Sequence, residues 1–363
     1  MSNLCKFPII EASGTPYEIG YAHGSKAKPF VLNCLETYRS VFQAYSDIPW
    51  EQAKERAKSY LETIRAYNPD YLEEIRGIAD GAGVTFEDIL ALNVRSELAF
   101  QGKTSAAQDG CTCIGITPER STTGDTLLGQ NWDFRATQRD SLIILKIRQT
   151  NGRPDINLVT EAGIIGKYGF NSCGIGVCLN ALAIDAEPVG LPLHIAMRGI
   201  LEGQNLCEAL LNATKLPLAC SANFMIASAC GEVVDIEIEG DEFDVLYAAD
   251  GTLVHTNHFR SLRLPSPGVR ETSKRKWPDT FIRCGIAEKK LRACGEKVDA
   301  EDMKRIFADH GDYPTSICHH EDPRDPEANR VCTVCSIIMN LNKRQMHLCP
   351  GQPCEQPYQV YQF

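Results

Sequence analysis

At 363 residues, with 43% hydrophobic and 23% charged side chains, the chain can bury a substantial core and is not composed like a disordered polymer. A formal net charge of −10 points away from nucleic acid or an anionic membrane as the main partner, and no apolar run approaches the length that crosses a bilayer. Sixteen cysteines scattered along such a chain read mostly as buried thiols, so any one of them needs a specific reason before chemistry is assigned to it.

The first third reads as helical. In DIPWEQAKERAKSYLETIRAY, Trp50, Ala53, Ala57, Tyr60, Leu61 and Ile64 fall at helical spacing, with Pro49 suited to the first turn. NPDYLEEIRGIADGAG restarts a helix with Asn68 as cap and ends it on glycines. TFEDILALN opens on Thr85 and Asp88, the pattern of a capping box. After residue 111 the character changes: TLLGQNWDF, SLIILKIRQ, INLVTEAGIIG and GIGVCLNAL are short strand-like runs separated by Gly, Asn and Asp. A helical interlude, LPLHIAMRGILEGQNLCEALLNAT, precedes four more strand candidates, ANFMIASA, EVVDIEIE, EFDVLYAA and TLVHTNH. Residues 283–310 read as helix, and VCTVCSIIMNLNKRQMHLCPG as a closing hairpin. Strands and helices in blocks, without strict alternation, predict a layered α+β architecture. The start, MSNLCKFPIIEASGTPYE, lacks the apolar core of a secretory signal, and the end, QPYQVYQF, carries neither a peroxisomal tripeptide nor a prenylation cysteine, so a cytoplasmic location is expected.

AAQDGCTCIGIT, residues 106–117, lies where helical sequence gives way to strand. A cysteine directly after a glycine suits self-cleavage: the Cys111 thiol attacks the Gly110 carbonyl, and water hydrolyses the resulting thioester. Gly110 is expected to occupy a strained backbone that a Cβ would obstruct. Cleavage would leave Cys111 with an α-amino group titrating near pH ~8, so one residue would supply both nucleophile and base. The bland alternative is a structural cysteine in a turn. QNWDF places Asp133 past the first hairpin, where a carboxylate would hold the new ammonium or a substrate amine. VHTNH places Asn257 at a strand end, where its amide would donate to an oxyanion. Taken singly, each also reads as an ordinary turn residue.

The blocks GTPYEIGYAHG, YLEEIRGIADGAG, DGCT, GQNWDF, TEAGIIGKYGFNSCGIGV, VHTNH and YPTSIC occur in this order between about residues 14 and 340. Together they resemble the fungal acyl-coenzyme A:6-aminopenicillanic acid acyltransferases (isopenicillin N acyltransferases) of penicillin biosynthesis. The resemblance implies an N-terminal nucleophile hydrolase fold, a four-layer αββα sandwich. It implies autoproteolysis between Gly110 and Cys111 into a mostly helical α chain, 1–110, and a β chain, 111–363, that stay together as a heterodimer and one structural unit. It makes Cys111 the nucleophile, Asn257 the oxyanion-hole residue, and Asp133 and Arg330 the residues that hold the penicillin nucleus. No metal and no bound organic cofactor are implied; acyl-coenzyme A and 6-aminopenicillanic acid or a related amide would be substrates. Three positions depart from the penicillin enzyme: Cys113 replaces a threonine, and Glu239 and Asn329 replace serines. An acyl-enzyme on Cys111 resolved by water would make an amidohydrolase, and one resolved by an amine an acyltransferase. An uncleaved, non-enzymatic binding protein is the third alternative.

Other chemistries are weaker. CHH at 318–320 and CTVC at 332–335 supply five possible zinc ligands, but strand alternation sends Cys332 and Cys335 to opposite faces, and no metal is expected there. His255 and His258 read as hydrogen-bonded structural histidines. The glycines from 163 to 176 have the wrong spacing for a dinucleotide loop.

Overall fold

Two β-sheets pack face to face between helical layers in the computed structural model, which describes residues 6–100 and 110–363. Asp109 of the expected junction lies outside the described residues. The chain starts with β1 (Ile9–Gly14) and the helices α1 (Pro16–Lys26), α2 (Lys28–Ser46), α3 (Trp50–Ala57), α4 (Leu61–Tyr67), α5 (Asp70–Ala82), α6 (Phe86–Asn93) and α7 (Arg95–Phe100). Strands β2 (Gly110–Ile116), β3 (Leu127–Phe134), β4 (Leu142–Gln149), β5 (Ile156–Glu161), β6 (Tyr168–Asn171) and β7 (Ile175–Ala181) follow. Then come α8 (Leu193–Leu201), α9 (Leu206–Thr214), β8 (Ala222–Ser228), β9 (Val233–Glu239), β10 (Glu242–Tyr247) and β11 (Thr252–His255). The chain closes with α10 (Ser273–Lys276), α11 (Asp279–Ala293), α12 (Ala300–Phe307), β12 (Cys332–Asn340), β13 (Gln345–Cys349) and β14 (Gln359–Gln362).

One sheet has eight strands in the order β1-β4-β5-β6-β7-β8-β9-β10, the other six in the order β11-β2-β3-β12-β13-β14. Their inner faces meet where β2 and β3 cross β7. Helices α11 and α12 cover the outside of the six-stranded sheet, and the N-terminal helices with α8 and α9 cover the eight-stranded one. This is the expected αββα sandwich. The N-terminal segment is not wholly helical, however: β1 pairs in parallel with β4, and residues from Ile10 to Ala99 share one apolar core with both sheets. No helix among the described residues is long and apolar enough to cross a membrane.

Local chemistry explains the boundaries. Thr15 with Glu18, Thr85 with Asp88, and Asp299 with Asp302 form capping boxes that satisfy the first free N–H groups of α1, α6 and α12. Gly83, at φ +71°, ends α5 in the left-handed conformation that a side chain resists. The periodic run after Pro49 breaks at Lys58–Tyr60 into a 3₁₀ turn, so it forms α3 and α4 instead of one helix. Two of the motif blocks also acquire a physical reason. A Cβ on Gly20 of α1 would lie 2.0 Å from the Glu74 carbonyl oxygen, and one on Gly77 of α5 would lie 2.2 Å from that of Tyr17. The two helices touch backbone to backbone through these glycines.

Candidate active site

The alternation of β2 sorts its side chains. Cys111 and Cys113 face the space between the sheets, where the Cys113 sulfur lies 3.7 Å from the Leu179 carbonyl of β7. Thr112 faces the opposite way, toward α11, where its hydroxyl lies 3.3 Å from Arg283. Cys111 is 2% exposed, so its position is set by packing as well as by the strand ladder.

The backbone of Cys111 is gripped at both ends. Its N–H donates to Asn257 Oδ1 at 2.9 Å, and its carbonyl accepts from Arg283 Nη1 at 2.7 Å and from Asn180 Nδ2 at 3.4 Å. Arg283 Nη2 also donates to Asn257 Oδ1 at 3.0 Å, while Asn257 Nδ2 donates to the Ala181 carbonyl at 3.1 Å. Two donors on Oδ1 and a carbonyl on Nδ2 fix the orientation of the amide, since a flip would set donors against donors. The Asn257 of the motif therefore does meet Cys111, but through its acceptor end and not the donor end that sequence reasoning expects.

Asp133 lies beside the junction because β2 and β3 pair Gly110 with Asp133. The carboxylate is what excludes a side chain: a Cβ at Gly110 would lie 2.8 Å from Asp133 Oδ2. Asp133 Oδ1 accepts from the Thr333 hydroxyl of β12 at 2.6 Å, and buried Oδ2 has no hydrogen-bond partner among the described residues. Burial pushes this carboxyl up to about 7, against the opposing pull of Arg283 and the Thr333 hydroxyl.

A narrow pocket of about 30 Å³ opens beside Cys111, room for about one or two waters. Trp132, Tyr168, Leu179, Leu182, Leu193 and Trp277 give it a largely apolar wall. Arg95 reaches the same pocket, but its Nε lies 3.3 Å from Glu161, which also pairs with buried Lys167. Burial alone would raise the Glu161 carboxyl; Arg95 and Lys167 instead bring it to about 2. The cations near the pocket are thus matched by a carboxylate.

The remaining predicted positions do not line the pocket beside Cys111. The Arg330 guanidinium donates to the carbonyls of Asp325 at 3.1 Å and Pro323 at 3.0 Å, and it does not line the pocket. Glu239 accepts from the Ser266 N–H at 2.6 Å, and Asn329 ends the short turn that leads into β12. His255 bonds Glu237 at 2.7 Å and His258 bonds Thr280 at 2.9 Å. Sequence reasoning missed Arg283, Asn180 and Thr333. The one available signal was the i,i+4 spacing of Asp279 and Arg283, which pair at 2.7 Å, on an otherwise ordinary helix.

The chain is similar to several known proteins. Residues 120–355 match the family model described as acyl-coenzyme A:6-aminopenicillanic acid acyl-transferase. The acyl-coenzyme A:6-aminopenicillanic-acid-acyltransferase 40 kDa form of Emericella nidulans is 35% identical over 317 residues, covering 85% of this chain and 84% of that protein. The beta-alanyl-dopamine/carcinine hydrolase of Drosophila melanogaster is 23% identical over 240 residues, 60% of each protein. Among solved structures, penicillin V acylase from Agrobacterium tumefaciens aligns with 66% of this chain and 83% of its own, at a TM-score of 0.45 and 9% identity. With the family model matched over most of the β-rich portion and a relative 35% identical across most of both proteins, the chain belongs to the acyl-coenzyme A:6-aminopenicillanic acid acyltransferase family.

Proposed function

We propose that the chain is a self-processing cysteine acyltransferase, cut between Gly110 and Cys111, that transfers an acyl group through a thioester on Cys111. The observation that carries this reading is the head of β2, where a buried cysteine has its N–H held by Asn257 and its preceding glycine pressed against Asp133. In processing, Cys111 Sγ adds to the Gly110 carbonyl and the C–N bond breaks. The thiol proton passes to the departing nitrogen, and the Asp133 carboxyl, which stands beside Gly110, is the proposed carrier. Water then hydrolyses the thioester, freeing the Gly110 carboxylate and the Cys111 thiol. The products are an α chain, 1–110, and a β chain, 111–363, which the shared core holds as a heterodimer.

In turnover the Cys111 thiolate attacks the carbonyl of an acyl-coenzyme A, coenzyme A leaves as its thiol, and the acyl group remains on sulfur. The amine of 6-aminopenicillanic acid then attacks, giving an amide and restoring the thiol; attack on the side-chain amide of isopenicillin N would instead leave that side chain as the acyl group on sulfur and release 6-aminopenicillanic acid. The second hydrogen of Asn257 Nδ2 is the donor for the oxyanion. The apolar wall suits an acyl group once the pocket of about 30 Å³ widens, and Asp133 and Arg330, which do not line it, are the proposed partners of the acceptor's ammonium and carboxylate. Hydrolysis of a related N-acyl amide is the second reading, favoured by the hydrolase of Drosophila melanogaster among the relatives.

Intact mass with N-terminal sequencing tests the proposal. Two chains of about 12 and 28 kDa, scaled from length, with the larger beginning Cys-Thr-Cys-Ile, are expected. A single uncut chain of 40.1 kDa would overturn self-processing and favour a binding protein.

A further inference from the structure

The long connection from α12 to β12 and the segment after β13 bring four metal-ligating side chains together. His310, Cys318, His320 and Cys354 each place one ligand atom within 4.8 Å of all the others. The separations are 3.1 Å between His310 Nε2 and His320 Nε2 and 3.5 Å between the Cys318 and Cys354 sulfurs. His320 Nε2 lies 3.7 Å from the Cys318 sulfur and 3.4 Å from that of Cys354. A tetrahedral zinc ion with ordinary Zn–N and Zn–S bonds sets its ligands about 3.3 Å apart for N···N, about 3.8 Å for S···S and about 3.5 Å for S···N. These four of the six separations fall within about 0.3 Å of that geometry, and the two between His310 and the sulfurs lie within 4.8 Å.

We propose that these residues form a structural zinc site of the Cys₂His₂ type. Two soft sulfurs and two imidazoles suit zinc and do not suit calcium or magnesium. Four protein ligands leave no open position, so the site would act as a staple and not as a Lewis acid for the reaction. Binding takes Zn²⁺, releases two thiol protons to solvent and leaves two thiolates and two neutral imidazoles on the metal. Glu355 Oε1 lies 3.9 Å from the other nitrogen of His320, too far for a direct hydrogen bond. The scaffold is already fastened: the Cys318 N–H donates to the Asp309 carbonyl, the His320 N–H to that of Pro314, and Asn131 Nδ2 to that of Ile317.

This ligand set differs from the one the sequence offers. Cys332 and Cys335 are buried within β12, across a register break, and take no part. Cys354 replaces them, brought in by the β12–β13 hairpin, and His310 arrives from the end of α12.

The site also touches the candidate active site mechanically. His319, between two of the ligands, donates its N–H to Thr333 Oγ1 at 2.9 Å, and that hydroxyl donates to Asp133. Zinc would therefore hold in place the side-chain donor of the carboxylate at the junction.

The test is elemental analysis of the untagged full chain, purified without chelator from zinc-supplemented cells. About one zinc per chain is expected. Cys354→Ser and His310→Ala should each retain at least about tenfold less zinc against a competing chromophoric chelator, while Cys230→Ser, at an exposed cysteine elsewhere, keeps it. Should either ligand variant misfold, cobalt loaded into the wild-type chain should show the ligand-field and sulfur-to-metal bands of a tetrahedral Co(II)–thiolate site. Wild-type protein that stays metal-free after reduction and reloading would overturn the proposal, including the case of a Cys318–Cys354 disulfide. Zinc retained equally by the ligand variants and Cys230→Ser would also overturn it.

Discussion

Asp133→Asn removes one buried negative charge and changes little in size, so it separates what this carboxylate does to stability from what it does to chemistry. The folded carboxyl is raised from 3.8 to about 7 by burial. Between those values the folded chain binds more protons than the unfolded one, so stability present at low pH is lost as pH rises and the loss is complete above about 7. At 1.36 kcal/mol per pH unit the full loss is on the order of 4 kcal/mol. The comparison belongs on a Cys111→Ala background, where both chains remain uncut. From about pH 4 to about pH 8, the asparagine variant should gain on its parent by that amount, roughly 8 °C in Tm at about 2 °C per kcal/mol. The new amide N–H lies where Oδ2 lacks a partner, which shifts the variant by about 1–3 kcal/mol at every pH and leaves the swing intact. Thermal unfolding followed by circular dichroism at several pH values measures it. Melting curves that stay parallel across the range would refute the burial argument. With Cys111 restored, the same substitution should slow self-cleavage by about 10²–10⁴-fold, the usual contribution of a positioned acid or base.

Four further outcomes are expected. Cys111→Ala should yield one chain of 40.1 kDa with no acyl-enzyme detectable by mass; a cut product would refute self-cleavage. Gly110→Ala sets a methyl 2.8 Å from Asp133 Oδ2 and should slow processing by about 5–100-fold, from about 1–3 kcal/mol of overpacking. The β chain it does release is identical to the wild type, so turnover per cut chain should be unchanged. Arg283→Met abandons Asp279, the Cys111 carbonyl and Asn257 together; it should destabilise the fold by about 3–5 kcal/mol in a denaturant titration and move the pH profile of processing upward, because Asp133 loses its nearest cation. Arg330→Ala should raise KM for the acceptor more than it slows acyl-enzyme formation, and equal losses in both would show that its role is misassigned.

Much of the fold was legible because local signals and tertiary structure agree. One helix of the first third follows Thr85, where the capping box is read directly, and the strands follow the β-branched runs. Strand β1 was not legible: Ile9–Gly14 has no pairing partner nearby and joins the sheet only through β4, more than a hundred residues later. The helix after Pro49 was read too long because periodicity does not register a 3₁₀ turn. At the site, Cys111, Asp133 and Asn257 stood out through motif blocks, and strand pairing does bring them together. Arg283 and Thr333 did not, since nothing local tells a fully buried arginine or a threonine with a carboxylate partner from the same residues on a surface. Of the proposed metal-ligating set, Cys318 and His320 stood together in the sequence, whereas His310 and Cys354 join them only through the end of α12 and the return of β13.

These long-range partners make the junction rigid in a way the strand alone would not. A residue at the head of an edge-proximal strand has neighbours on one side of its ladder and frays readily. Here the N–H of Cys111 is held from the segment after β11, its carbonyl from α11 and β7, and the carboxylate beside it from β12. Each contact comes from a different element, so none can relax without the others. The proposed self-cleavage requires a thiol to reach its own preceding carbonyl, and a backbone held at both N–H and C=O narrows the positions its sulfur can sample. If the chain is cut as proposed, the same clamp would persist, because every group in it lies at or after Cys111 and only Gly110 would depart. The scaffold that aims the sulfur at the peptide would then aim it, unchanged, at an incoming acyl donor.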